Sequence, residues 1–214
     1  MSSSLPNDVA ICNLALVGHL GKASISSFTQ SSTEAVRCAL FYPMACEEIA
    51  QASDWSFLRE LVALSEMPND LPEAYGFKYA YPQRALKLMY LYDPSFPKRP
   101  MKDYLIGSGA IYTNVSPAYA RYITLEDRGP ETWPLHFKKA VAAKVAELLA
   151  PGFTRRKDDV NAMRDMAQQE LARAIENDAS QEHTSYTDDE TYVYGVDGQQ
   201  ANPPSYDGST FWRR

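Results

Sequence analysis

Histidine and cysteine are scarce in this chain, with three of each among 214 residues. His19, His136 and His183 are dispersed, no CxxC pair occurs, and no GxSxG nucleophile elbow is found. The usual ligand and nucleophile spacings of metalloproteins and hydrolases are therefore missing. Cys12, Cys38 and Cys46 are odd in number and do not read as a disulfide framework; they are expected to be reduced structural thiols of a protein made in a reducing cytosol. No apolar run reaches the roughly 18 residues that span a bilayer, so no membrane insertion is expected. The opening MSSSLPNDV has neither the basic region nor the apolar core of a secretory signal.

Positive charge is also in short supply. There are 21 Lys and Arg against 27 Asp and Glu, a net charge of −6, and the basic residues form no continuous stripe. That balance disfavours a sequence-independent nucleic-acid coat while leaving room for a local contact. Gly18-His19-Leu20-Gly21-Lys22 looks faintly like a phosphate loop but lacks its first glycine and the hydroxyl residue after lysine, so it reads as a helix-ending turn. Glu47, Glu48, Glu126 and Asp127 have the spacing of neither a metal cage nor an acid/base pair. The run Asp188-Asp189-Glu190 reads as solvated surface. No catalytic, metal or cofactor site is expected.

What the sequence does hold is an order of parts. With 45% hydrophobic and 22% charged residues it supports one mixed domain with an extension. A first helix is predicted from about Asp8 to Leu20, with Asn7 as cap and Ile11, Leu14, Ala15, Val17 and Leu20 inward. Ile25 and Phe28 can pin the following loop. Ser31 and Glu34 form a possible capping box for a second helix to about Ala52, in which Pro43 predicts a kink or a division into two. Val36, Leu40, Met44 and Ile49 suggest its buried stripe. Trp55 and Phe57 are expected to anchor its end, the indole N–H finding a partner while the ring is buried.

From Tyr75 to Leu125 the hydrophobic period moves toward two. Tyr75, Phe77, Tyr79 and Tyr81 alternate with smaller or polar residues, as do Leu86, Leu88, Tyr90 and Tyr92, with Pro82 starting a bend between them. Tyr104–Ile106 and Ala110–Tyr112 read as a hairpin around a three-residue Gly107-Ser108-Gly109 turn, and Tyr119–Leu125 as a further strand. Helical spacing then returns. Leu135, Val141, Val145, Leu148 and Leu149 form a bulky side among small alanines; Pro151-Gly152 reverses the chain; and Thr154 can cap a helix to about Ala179 with Val160, Met163, Ala167, Leu171 and Ala174 inward. Met163 and Met166 read as core filler.

The expected fold is therefore α+β. A bundle-like helical domain packs with a small antiparallel β region and carries an extended C-terminal arm. The segments are an N-terminal extension over 1–7, a helical part over 8–74, a β region over 75–129, a completing helix pair over 130–180, and an arm over 181–214. Arg155, Arg156 and Lys157 sit where a helix dipole favours negative charge, so they are either merely solvated or a docking patch for an acidic partner or phosphate. Asp158 and Asp159 soften that charge. The arm has too few apolar residues to repay its ordering by itself, so it is either a flexible tail without a role or an arm ordered by a partner, with Tyr192, Tyr194, Phe211 and Trp212 as anchors on an adjacent subunit or the distal tail protein.

Several stretches, in order, resemble the tail tubular protein A, or head-to-tail adaptor (gatekeeper), family of short-tailed bacteriophages of the T7-like kind. They are Ala10–Leu16 before a glycine-containing turn, Ile25–Phe28, Trp55-Ser56-Phe57, Tyr79-Ala80-Tyr81-Pro82 before Leu86-Lys87-Leu88, Ile111–Asn114, Tyr119–Ile123 and the alanine-rich helix after Leu135. The resemblance spans roughly residues 8–180. It implies a virion component at the head-tail junction, made in the host cytoplasm, with no catalytic residues. Its copies would form a dodecameric ring that binds the portal protein and the distal tail tubular (nozzle) protein and lets double-stranded DNA pass. The helical segments would build the ring, and the β region and termini would make axial or neighbour contacts. The alternatives from the residues alone are a monomeric protein- or nucleic-acid-binding module and, more weakly, a hydrolase.

Overall fold

The computed structural model describes residues 7–95, 100–101 and 103–182. Tyr192, Tyr194, Phe211 and Trp212 lie outside the described residues. The described chain is α+β, as the alternation of periods predicted.

Helix α1 spans Asn7–Asn13 and passes directly into a π-helical turn, Leu14–His19. Leu20 N–H bonds the Ala15 carbonyl at 3.1 Å, and Lys22 N–H reaches Leu16 at 2.8 Å. The wider turn changes which residues face inward. Val9, Ile11, Cys12, Ala15 and Leu16 are buried, whereas Leu14 and Val17, expected inside at α-helical spacing, are exposed. Asn7 is the first helical residue rather than the cap. Asn13 then fixes the loop by donating to the Ile25 carbonyl at 2.9 Å and accepting the Ile25 N–H at 2.8 Å.

Helix α2 spans Thr33–Ala52 and is capped by Ser32, whose Oγ accepts the Ala35 N–H at 3.2 Å; the predicted Ser31 cap is thus displaced by one residue. It continues through Pro43, which rules out two separate helices. The carbonyl that loses its i+4 donor belongs to Ala39, and both Ala39 and Pro43 are on the solvent side, where water can replace the bond. The buried face carries Ala35, Cys38, Ala45, Cys46, Ile49 and Ala50. The predicted stripe is reversed except at Ile49, with Val36, Leu40 and Met44 at 62%, 61% and 48% exposure.

After a 3-10 turn at Ser56–Leu58 the strands begin at Arg59, earlier than the expected residue 75. They are β1 (Arg59–Ala63), β2 (Glu66–Met67), β3 (Phe77–Ala80), β4 (Lys87–Tyr92), β5 (Pro100–Met101), β6 (Tyr104–Gly107), β7 (Ala110–Thr113) and β8 (Tyr119–Ile123). Two four-stranded antiparallel sheets result, ordered β1-β8-β4-β5 and β2-β3-β7-β6. Tyr79 and Ile111 from one sheet and Leu91 and Ala120 from the other share a core. The alternation read through Leu88 and Tyr90 is broken by a register shift between them, which places Leu91 fully inside. The β6–β7 connection is a two-residue turn, Ser108-Gly109, rather than the expected three-residue loop. Both residues have positive φ, 50° and 72°, as a type I′ hairpin requires.

Helices α3 (Leu135–Phe153) and α4 (Lys157–Glu182) complete the helical layer. Ala140, Ala142, Ala143, Ala146 and Ala150 are buried around α3, and their small size admits both α2 and α4 at close range. Leu135 is exposed, contrary to expectation. Pro151 and Gly152 lie inside the end of α3, so the reversal falls at residues 154–156. Phe137 sits at the centre of the helical core, its ring 5.0 Å from each of Trp55, Phe57 and Trp133 in edge-on contacts. Trp55 is buried as predicted, and its Nε1–H donates to the Ile49 carbonyl at 2.7 Å.

Candidate docking site at a basic corner

The reversal between α3 and α4 is closed by Thr154. Its N–H ends α3 by donating to the Ala150 carbonyl at 3.0 Å. Its Oγ1 donates to Asp159 Oδ2 at 2.8 Å and accepts the Arg156 N–H at 3.2 Å. Thr154 therefore bridges the two helices from a position outside α4 instead of capping its first residue. This hydrogen-bonded corner presents Arg155, Arg156 and Lys157 to solvent. Arg156 approaches Asp159 at 3.9 Å, a loose and largely solvated pair.

Two more cations reach the same corner from elements distant in sequence. Lys22, delivered by the π-helical turn, places Nζ 5.3 Å from the centroid of the Phe153 ring. Arg37, from α2, places its guanidinium carbon at 4.6 Å from it. The ring face attracts both through its quadrupole. Gly152 makes room for Arg37: a Cβ there would fall 2.4 Å from Nη1. Arg37 Nη1 is buried without a hydrogen-bond partner. Among the described residues, Lys22, Arg37, Arg155 and Lys157 have no carboxylate partner. A hollow of about 430 Å³ opens beside them, lined in part by His19, Lys22, Phe153, Thr154, Asp159 and Met163. Burial holds the His19 imidazole below its ordinary range, with the Glu170 carboxylate opposing that shift. The local surface is cationic in an acidic chain, has an aromatic floor, and is suited to carboxylate or phosphate oxygens.

The sequence pointed to Arg155, Arg156 and Lys157 but gave no sign of Lys22, Arg37 or Phe153 as their neighbours. Gly18–Lys22, read as a helix-ending turn, does end the helix, and Gly21 has φ 60°. A second cation and aromatic cluster, on β4 and β8, has Arg121 donating to the Tyr90 hydroxyl at 2.5 Å and facing Asp54 at 3.6 Å. Its charge is matched by Asp54, which lies between α2 and the 3-10 turn.

Ser56, Asp178 and His136 also converge, but in an order unlike that of a hydrolytic triad. Asp178 Oδ2 accepts the Ser56 N–H at 2.9 Å and Oδ1 accepts the Ser56 hydroxyl at 2.7 Å, while His136 Nε2 stands 3.8 Å from Oδ1. The serine proton thus points to the carboxylate and not to the imidazole. The cluster ties the end of α4 to the start of the 3-10 turn. Cys12, Cys38 and Cys46 are buried free thiols, and burial pushes Cys46 up to about 12. The expectation of unpaired structural cysteines holds. Among the described residues no group of three His, Cys, Asp or Glu side chains could hold a metal ion, and no helix is long and apolar enough to cross a membrane.

No protein-family model matches the chain, and no curated protein matches it.

Proposed function

We propose that the chain is a structural head-to-tail adaptor of a short-tailed bacteriophage. Copies close into a dodecameric ring at the head-tail junction, bind the portal on one side and the distal tail tubular protein on the other, and continue the channel for double-stranded DNA. The observation that carries this reading is the amount of surface left for partners on the helical layer. Val36, Leu40 and Met44 recur at i, i+4 and i+8 on the outside of α2, and the same helix supplies Arg37 to a basic corner where, among the described residues, Lys22, Arg37, Arg155 and Lys157 have no carboxylate partner. An apolar stripe bordered by unpaired cations has the composition of an interface, with aromatic and arginine groups available as anchors. Closure of a ring sums many such modest contacts and leaves no unmatched end. The net charge of −6 favours passage of DNA over its retention where acidic surface lines the channel. Arg155, Arg156 and Lys157 belong to the docking surface in this reading, and Tyr192, Tyr194, Phe211 and Trp212 serve as arm anchors.

The test is a mass measurement on purified protein with and without portal, followed by particle imaging of the complex. A closed ring seated on the portal is the expected result. A single copy at every concentration, with no portal binding, rejects the adaptor reading in favour of a monomeric binding module.

A further inference from the structure

We propose that the protein pairs with a second copy of itself through the open edge of β6, joining two β2-β3-β7-β6 sheets about a two-fold axis at Leu105. The proposal goes beyond the adaptor reading and does not rest on it, because a two-fold contact closes on itself whereas neighbours in a ring meet through unlike surfaces. Its first support is the phase of the hydrogen bonds in β6. The β6–β7 turn closes at the Gly107–Ala110 pair, and the Tyr81 N–H bonds the Gly109 carbonyl at 3.0 Å. By the alternation of an antiparallel ladder, Ile111 and Thr113 then bond across to β3, while Ala110 and Tyr112 bond across to Gly107 and Leu105. The N–H and carbonyl groups of Tyr104 and Ile106 therefore point away from the sheet. Among the described residues nothing bonds to them.

These outward groups are self-complementary. Tyr104 and Ile106 stand symmetrically about Leu105, so an antiparallel second copy sets Ile106 of each chain against Tyr104 of the other and supplies about four interchain hydrogen bonds without a slip of register. The side chains agree with that pairing. Leu105 meets its own copy as the close, non-hydrogen-bonded pair at the axis, and Ile106, whose cross-strand neighbour Ile111 is fully buried, extends the core beside the partner's Tyr104. Leu105 and Ile106 are 44% and 48% exposed, on opposite faces of one strand, so the edge is apolar on both sides. Tyr104–Gly107 contains neither charge nor proline, the devices that commonly protect an edge. The other edges suit pairing less well. Strands β2 and β5 have two residues each, β5 begins with Pro100, and the Arg59 carbonyl on β1 already accepts from Arg128 at 3.2 Å. A strand of four residues makes a small interface, so the pair is weak and forms as concentration rises.

The experiment follows the mass of the full-length chain by sedimentation from about 1 to about 200 µM, with hydrogen exchange read at both ends of that range. A shift from one copy toward two is expected, with exchange of the Tyr104 and Ile106 amides slowed about twofold or more at the high end. Leu105→Lys sets like charges opposite each other at the axis; it should remove the pair and leave the thermal midpoint of the single copy nearly unchanged. Leu105→Cys treated with diamide should give a covalent dimer, because non-hydrogen-bonded partners lie about 4.5 Å apart between Cα atoms, within disulfide reach. The native thiols are buried, and Leu61→Cys on the β1 edge, the matched exposed control, should not cross-link. A single copy at every concentration, with no cross-link through position 105, overturns the proposal. So does a dimer that Leu105→Lys leaves intact, which places the contact on another surface such as the outer stripe of α2. Protection of the β6 amides only when portal is added assigns the edge to that partner and likewise overturns self-pairing.

Discussion

Gly152 and His19 both lie at the basic corner, the one beside the Arg37 guanidinium and the other in the wall of the hollow. Gly152 sits in the last turn of α3, and a methyl group there would meet the far end of Arg37 and not backbone. The guanidinium can swing away, losing a stacking contact of about 1 kcal/mol, while alanine favours the helix over glycine by about the same amount. Gly152→Ala should leave the denaturant midpoint nearly unchanged and still weaken corner-dependent assembly. A large stability loss would show that the close approach is needed for folding itself. His19 is held below its ordinary value of 6.5 mainly by burial. The unfolded chain therefore takes up more protons as the pH falls through 6.5 toward the lower folded value. Stability associated with the neutral imidazole is complete above 6.5 and declines below it. His19→Gln should flatten that part of the acid limb; unfolding midpoints measured from about pH 8 to pH 5 test it, and an unchanged slope would remove His19 from the account.

The longest helix is held at its far end by one buried carboxylate. Asp178 is 4% exposed and satisfies both the backbone N–H and the hydroxyl of Ser56 at the first residue of the 3-10 turn. This capping group comes from 122 positions away in sequence, where a local motif would use a residue beside the turn. Asp178→Ala should cost about 3 kcal/mol, because it removes charge-assisted bonds and strands a backbone donor. Ser56→Ala, which removes only the hydroxyl, should cost about 1 kcal/mol. Chemical denaturation of the two variants separates a capping role from simple packing, since equal losses would contradict the cap.

For the whole molecule, the folded unit and the assembling unit should be separable. A chain ending after Glu182 retains Ala174, Asp178 and every described contact of α4, so its unfolding midpoint should match that of the full chain. In the proposed adaptor, rings of this shorter chain, or their recruitment of the next tail component, should be weaker. Matched-concentration particle assembly decides the point, and equally stable complexes would remove the arm from the mechanism. Neutralising Arg155, Arg156 and Lys157 in the full chain should impair assembly more at low salt than at high salt, where screening already suppresses the attraction. Identical assembly across the salt range would return those residues to simple solvation.

Local pattern was enough for the α+β class, the helix pair, the β6–β7 hairpin and the burial of Trp55, because periodicity, turn residues and an indole beside a helix end constrain short stretches directly. It was also enough to single out Arg155, Arg156 and Lys157 against a helix start. Wherever one residue shifts the phase, pattern misled. The π-helical turn exposed Leu14 and Val17, the register shift in β4 brought Leu91 inside, and the small-residue face of α2 was buried in place of the bulkier Val36, Leu40 and Met44. Mostly small side chains, with Ile49, face α3 there, a neighbour about a hundred residues away in the chain. The two-sheet pairing, the long-range Asp178 cap and the convergence of Lys22 and Arg37 on Phe153 depend in the same way on contacts between elements remote in the chain. Periodicity records which side of an element is apolar, and only packing selects which neighbour that side meets.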